Sequence, residues 1–270
     1  MTKFFAKVLA FLVLFGIVAP LGILRSGVLA RFGPGSEVYL AIAKSRKHTA
    51  AKRILIGDSV ANQLYPAARS DPYIYAFACS ESVSLAGRYF MLRDFIARND
   101  MRGTTVYLVY TPLSFNSDLQ TRFTFHYFIK PFVTINNWST LDAVVRDRVA
   151  RVPWYWTAWL PIIKVSRWSP DYAPSQPPNP QLSEISRLYL QRIRDLAQEN
   201  GFEFIVLAPV LAESRRQDPY GEMQAQIQSS GLGKVFSRYF GSMRFLPDSA
   251  FSDGVHLHDP GSLGPNPLNL

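Results

Sequence analysis

From residue 53 onward, short apolar runs alternate with longer stretches of helical periodicity, the pattern of a mostly parallel sheet covered by helices. Ile54-Leu55-Ile56, Tyr73 to Ala78, Thr105 to Tyr110, Phe202 to Ala208 and Met243 to Leu246 are the predicted strands, rich in β-branched and aromatic residues. Val83, Ala86, Gly87, Phe90, Phe95 and Ile96 recur near helical spacing. So do Ile185, Leu188, Tyr189, Ile193 and Leu196, ahead of the stop signal Asn200-Gly201. Both helices are expected to lie on the sheet.

The N-terminal pattern is different. Val8 to Leu24 runs seventeen residues without a charge, preceded by Lys3 and Lys7 and closed by Arg25. Residues 1–30 therefore read as a membrane anchor or signal segment, short for a spanning helix and kinked at Pro20. Residues 31–52 read as a basic stalk helix capped by Ser36 and lying near lipid headgroups or in solvent. Residues 53–270 form the main domain, interrupted at about 112–180 by an insertion too long for a simple crossover. All five tryptophans, Trp138, Trp154, Trp156, Trp159 and Trp168, fall in that insertion, which ends in a proline-rich stretch. Such rings stack on sugars, sit at a membrane interface, or form the insertion's own small core.

Composition narrows the class. With 270 residues, 48% apolar and 18% charged, the chain can bury a core, which excludes disorder. A mean hydropathy of +0.01 excludes a multi-span transporter. The net charge of +9 suggests nucleic acid until its distribution is examined. Residues 1–53 hold nine basic side chains against the single acid Glu37, and the remainder carries 20 basic and 19 acidic groups. The main domain thus has no polyanion-binding excess, and the basic appendage suits a membrane surface. A single cysteine, Cys79, excludes an internal disulfide and a cysteine-clustered zinc site.

Two segments carry candidate chemistry. Arg53 to Ser59 runs a buried strand straight into Gly57-Asp58-Ser59, and strand ends are where open α/β sheets place their sites. The turn would present the Ser59 hydroxyl, and a helix beginning at Val60 would offer amides to an oxyanion; Ser59 reads equally as a helix N-cap. The second segment is Asp253-Gly254-Val255-His256, whose spacing lets a carboxylate orient one imidazole nitrogen and leave the other to take a serine proton. His126 and His258 compete for the base role. His256-Leu257-His258 with Asp253 or Asp259 also reads as a metal site lacking a third histidine.

Together these blocks resemble the SGNH/GDSL hydrolase superfamily. The resemblance runs over roughly residues 52 to 260 in order and spacing, with specific identity confined to the two blocks. It implies a flavodoxin-like three-layer α/β/α fold and Ser-His-Asp catalysis of ester cleavage or acyl transfer by Ser59, His256 and Asp253, with no cofactor and no metal. The family's block-two glycine is missing from Ala78-Cys79-Ser80-Glu81-Ser82, so an amide near Ser80 or Glu81 is expected in its place. Asn116 is expected to supply the side-chain amide of the oxyanion site, or to be a turn asparagine. The resemblance further implies an acylated polysaccharide or glycoconjugate as substrate, with Trp154 and Trp156 as a saccharide platform, and an extracytoplasmic domain tethered to a membrane. A polysaccharide-export or acyl-transfer partner protein belongs to the same picture. The alternatives left open are a membrane lipid ester or thioester hydrolase and a non-catalytic polysaccharide-binding or assembly protein.

Overall fold

The computed structural model describes residues 2–18, 35–68, 71, 73–121, 123–133, 141–152, 155–157, 179–264 and 266–268. At its centre lies β1 (Arg53–Gly57), whose last four residues are buried. Parallel neighbours on either side are β2 (Ile74–Ala76) and β3 (Thr105–Val109), and β3 in turn pairs in parallel with β4 (Glu203–Leu207). The order β2-β1-β3-β4 reverses direction between β1 and β3, the switch point where such sheets open a crevice at their carboxyl ends. Gly57 and Val109 are paired there, side by side.

Alternation along the strands divides the core. Ile54, Ile56, Val106, Leu108, Phe204 and Val206 face one large cluster, and Leu55, Tyr107, Val109, Ile205 and Leu207 face a smaller one. The first face is covered by α2 (Ser36–Ser45), α4 (Ser84–Ile96), α6 (Glu184–Asn200) and α7 (Gly221–Ser229), all of which contribute buried apolar residues to it. The second is covered more thinly by α3 (Ser59–Leu64) and by chain near the C-terminus, including Phe251 and Leu257. α6 shows why the periodicity was sufficient: Ser183 caps its start by accepting from the Ser186 amide, and Gly201, at φ 68°, ends it.

Four expectations change. The predicted strand at Met243–Leu246 leaves the main sheet: β6 (Arg244–Leu246) pairs in parallel with β5 (Val210–Ala212) in a separate two-stranded ribbon. Pro209 hides β5 in the sequence, because the residue before it is pushed to extended backbone and the run reads as the tail of β4. The basic helix ends at Ser45, and Gly35, at φ 84°, occupies the capping position expected for Ser36. That helix is no free stalk: Val38 and Ala41 are fully buried, and Arg46 pairs with Asp94 of α4 at 2.8 Å. The described part of the insertion likewise forms no small core of its own. Phe125, Phe128, Ile129 and Phe132, on a π-helical segment (Phe125–Val133), are buried in the main cluster beside α4. α5 (Ala143–Ala150) adds Val145 and Val149 to the same cluster.

At the N-terminus, α1 (Thr2–Val13) and the π-helical turn Leu14–Val18 expose Phe4, Phe5, Leu9, Phe11 and Phe15, each more than half accessible. Among the described residues no helix is long and apolar enough to cross a membrane. The last six residues of the Val8–Leu24 run lie outside the described residues.

Candidate active site

Gly57 ends β1 where a side chain cannot fit, since a Cβ would lie 2.3 Å from the Val109 carbonyl oxygen and 2.4 Å from the Ala61 methyl. The chain then turns, and Asp58 caps α3, its Oδ1 accepting from the Val60 amide at 3.0 Å and the Ala61 amide at 3.2 Å. Its Oδ2 accepts from the Thr111 amide at 2.7 Å and the Ser114 hydroxyl at 2.9 Å, so one buried carboxylate ties the turn after β1 to the loop after β3. The cap is therefore Asp58 and not Ser59. Ser59 stands at the first helical position, partly exposed, free of a capping duty.

The C-terminal loop meets it. Ser59 Oγ lies 2.9 Å from His256 Nε2, and His256 Nδ1 lies 2.8 Å from Asp253 Oδ2. The tautomer that satisfies all three groups has Nδ1–H donating to Asp253 and Nε2 accepting from the Ser59 hydroxyl. Asp253 Oδ1 also accepts from the His256 amide at 2.8 Å and the Val255 amide at 3.1 Å, an Asx turn that fixes the three-residue spacing. The His256 amide and imidazole, with the Val255 amide, hold the Asp253 carboxyl down to about 2 against the opposing effect of desolvation. Gly254, at φ 76°, supplies the left-handed residue that the turn requires. The loop closes on itself through an antiparallel bridge between Phe251 and Leu257 and a 2.8 Å bond from the Ser252 amide to the His256 carbonyl.

Sequence reasoning missed the residue that joins the two halves. Gln63, one turn along α3 from Ser59, donates from Nε2 to the Leu257 carbonyl at 2.7 Å and accepts at Oε1 from the Leu257 amide at 3.0 Å. This two-point clamp holds the residue beside His256 against the helix that carries Ser59. Only its position one helical turn from a candidate nucleophile could have marked it.

Expected oxyanion groups fare unevenly. The Val60 and Ala61 amides are consumed by Asp58, so the helix start offers only the Ser59 amide, which makes no hydrogen bond among the described residues. The Ser80 and Glu81 amides likewise make none there, although Ser80 Oγ and its carbonyl are engaged by the Ser82 amide and Arg88. Asn116 is a correction: its Nδ2 donates to the Asn179 carbonyl at 3.0 Å and its Oδ1 accepts from the Gln181 amide at 2.9 Å. It clamps the two ends of the insertion together, and its buried carboxamide is spent on main chain instead of on the site. Trp156 is exposed at 61%, while Trp154 lies outside the described residues. His126 is buried beside the Phe125 ring, the His258 amide donates to the Ala250 carbonyl, and among the described residues the imidazole bonded to Ser59 is that of His256. Among the described residues no three His, Cys, Asp or Glu side chains are grouped to hold a metal ion.

No known family, curated protein or solved structure matches this chain.

A small cavity of about 30 Å³ lies next to the histidine loop, lined by Thr111, Pro112, Leu113, Leu211, Gly254 and Val255, with Arg215, Asp218 and Tyr220 along one wall. Its contacts are mostly apolar. It is flanked by Val255, which precedes the imidazole, and by Thr111, whose amide is bonded to Asp58.

Proposed function

We propose that the chain is a serine esterase or O-acyltransferase that works through an acyl-enzyme on Ser59, with His256 as general base and Asp253 as its orienting partner. One observation carries this reading: three side chains drawn from sequence positions nearly 200 residues apart form a continuous serine–imidazole–carboxylate chain with bonds of 2.9 and 2.8 Å. A merely structural loop histidine has no reason to meet a serine that has been relieved of capping.

In the proposed reaction the Ser59 oxygen attacks the ester carbonyl carbon while His256 Nε2 takes the hydroxyl proton. The new oxyanion is met by the Ser59 amide and by amides at Ser80 or Glu81. Collapse expels the alkoxide, which receives that proton from the imidazolium and departs as an alcohol. Water, or a hydroxyl of an acceptor, then attacks the acyl-enzyme by the same route, giving up its proton to His256 and releasing the acyl group and the serine. Asp253 keeps the imidazole in the accepting tautomer throughout and stabilises the imidazolium.

The acyl group we assign is short. In support, the apolar cavity of about 30 Å³ beside the histidine loop, lined by Val255 and Thr111 and not by Ser59 or His256 themselves, has room for an acetyl methyl and too little for a long chain. The acceptor we assign is a carbohydrate hydroxyl, supported by the exposed Trp156 ring on the insertion. The exposed apolar face of α1 supports membrane anchoring; the assignment of a three-layer, flavodoxin-like domain outside the cytoplasm rests on the family resemblance. Small-chain selectivity is what separates this reading from a membrane lipid hydrolase.

The test is hydrolysis of p-nitrophenyl acetate by the purified chain beside Ser59→Ala and His256→Ala. Both variants should fold and lose ester cleavage. A folded Ser59→Ala protein as active as the parent would remove the proposal.

A further inference from the structure

Beneath the nucleophile turn, one hydroxyl is shared by two acids. Ser114 Oγ lies 2.9 Å from Asp58 Oδ2, 3.0 Å from Glu81 Oε2 and 2.6 Å from Thr111 Oγ1. A serine hydroxyl has one proton to donate and two lone pairs to accept with. Three contacts therefore need three protons, and the two hydroxyls, Ser114 and Thr111, supply only two. If both acids were charged, one of them would face the Ser114 oxygen with no hydrogen between.

The surroundings decide which acid supplies the third proton. Asp58 accepts from three main-chain amides, at Val60, Ala61 and Thr111, and every one of these contacts requires acceptor oxygens. Among the described residues Glu81 accepts from no such amides, and its carboxyl is bonded to Ser114 alone. The nearest cations do not neutralise it. Arg88, fully buried, directs Nη2 to the Cys79 and Ser80 carbonyls at 2.9 and 2.8 Å and Nη1 to Cys79 Sγ at 3.2 Å, and it lies over the Tyr110 ring. Among the described residues Glu81 forms no ion pair. The imidazole of His256 is already held between Ser59 and Asp253.

We propose that Glu81 stands in the resting protein as a carboxylic acid and donates to Ser114, which donates in turn to Asp58, so that Glu81 is a positioning residue for the nucleophile turn. Thr111 gives the second hydrogen bond to Ser114, and all three contacts are then satisfied with no proton missing. Burial pushes the Glu81 carboxyl upward and the Asp58 carboxylate pushes it further, against the Ser114 hydrogen bond and the charges of His256 and Arg88. This also answers why an acid is tolerated beside a site where an oxyanion forms: it brings an O–H there and not a charge. That consequence for catalysis rests on the serine hydrolase reading; the charge state of Glu81 does not.

The charge state is tested without any substrate. In the full chain with carbon-13 in its glutamate carboxyls, one resonance should titrate above the ordinary glutamate range, vanish in Glu81→Gln and move in Ser114→Ala. Gln mimics the neutral acid. A group whose folded pKa is raised costs stability that is absent below its unfolded pKa and grows as pH rises toward the folded value. The urea midpoint of Glu81→Gln should therefore rise relative to the parent between pH 4 and pH 8. Titration of every glutamate in the ordinary range, or a midpoint difference that stays flat or falls with pH, would overturn the assignment. If Glu81→Gln does not fold, the response of the high-titrating resonance to Ser114→Ala decides the matter alone: its absence or its indifference to that change refutes the proposal.

Discussion

The Gln63 clamp turns the argument about positioning into a measurable quantity. Gln63→Ala removes two hydrogen bonds, of 2.7 and 3.0 Å, and strands the amide and carbonyl of Leu257, a residue only 4% exposed. Each abandoned buried group costs about 1–3 kcal/mol, and with water reaching part of the site the total should be about 2 kcal/mol. That is enough to move a denaturant midpoint clearly. The larger effect should fall on rate, because Leu257 adjoins His256 and a shift of about 1 Å in a reacting group can cost about 10²-fold. We expect kcat on p-nitrophenyl acetate to fall by about 10- to 10²-fold with KM little changed. Gln63→Glu separates clamp from bulk: its carboxylate still accepts from the Leu257 amide but faces the Leu257 carbonyl with no donor, so it should behave much like Ala despite its size. Wild-type kcat and midpoint in Gln63→Ala would refute the reasoning, and would mean that the Asx turn and the Phe251–Leu257 bridge hold the histidine unaided.

Asp253→Asn should keep the acceptor for the Val255 and His256 amides while presenting an NH2 to His256 Nδ1, which forces the wrong tautomer; kcat should fall on the order of 10³–10⁴-fold with little change in the unfolding midpoint. The Asp253 carboxyl is held at about 2, below its ordinary value of 3.8, so the stabilisation it contributes is present above about pH 4 and lost only as pH falls through about 2. Asp253 is therefore a carboxylate throughout pH 5 to 9, and the loss of rate in Asp253→Asn should be present across that whole range; a variant as active as the parent anywhere within it would contradict the assignment. Gly57→Ala should destabilise by about 1–3 kcal/mol in denaturant titration, because its Cβ would lie 2.3 Å from the Val109 carbonyl oxygen. Among p-nitrophenyl esters acetate should exceed butyrate and far exceed octanoate in kcat/KM, and Leu113→Ala or Val255→Ala should flatten that order by enlarging the cavity.

Most of the sheet was legible because β1, β3 and β4 are continuous apolar runs buried on both faces, and α6 carries clean periodicity, whereas α4 is buried almost all round and shows its spacing only in part. Where the pattern misled, long-range packing decided. α2 looks like a solvated basic helix because its charges are local, but its Val38 and Ala41 pack into a core formed by residues far along the chain. β5 and β6 are three residues each and exist only as a pair. At the site, Ser59, His256 and Asp253 were legible because turn chemistry and spacing are local signals, whereas their meeting is not. Asn116 shows the limit: an asparagine after a strand reads the same whether its amide faces a substrate or, as here, the main chain at 179 and 181. Gln63, marked only by lying one helical turn from Ser59, and the Ser114 link between Asp58 and Glu81, which has no spacing signature, are tertiary contacts.

The most direct test is to look for the acyl-enzyme itself. The full chain is mixed with p-nitrophenyl acetate, quenched in acid within the first turnovers, and digested for mass spectrometry. The account predicts an acetyl group on the peptide containing Ser59, absent from Ser59→Ala and strongly diminished in His256→Ala. Ester turnover with no acetyl on Ser59, or an equal yield of that adduct when His256 is replaced, would contradict it.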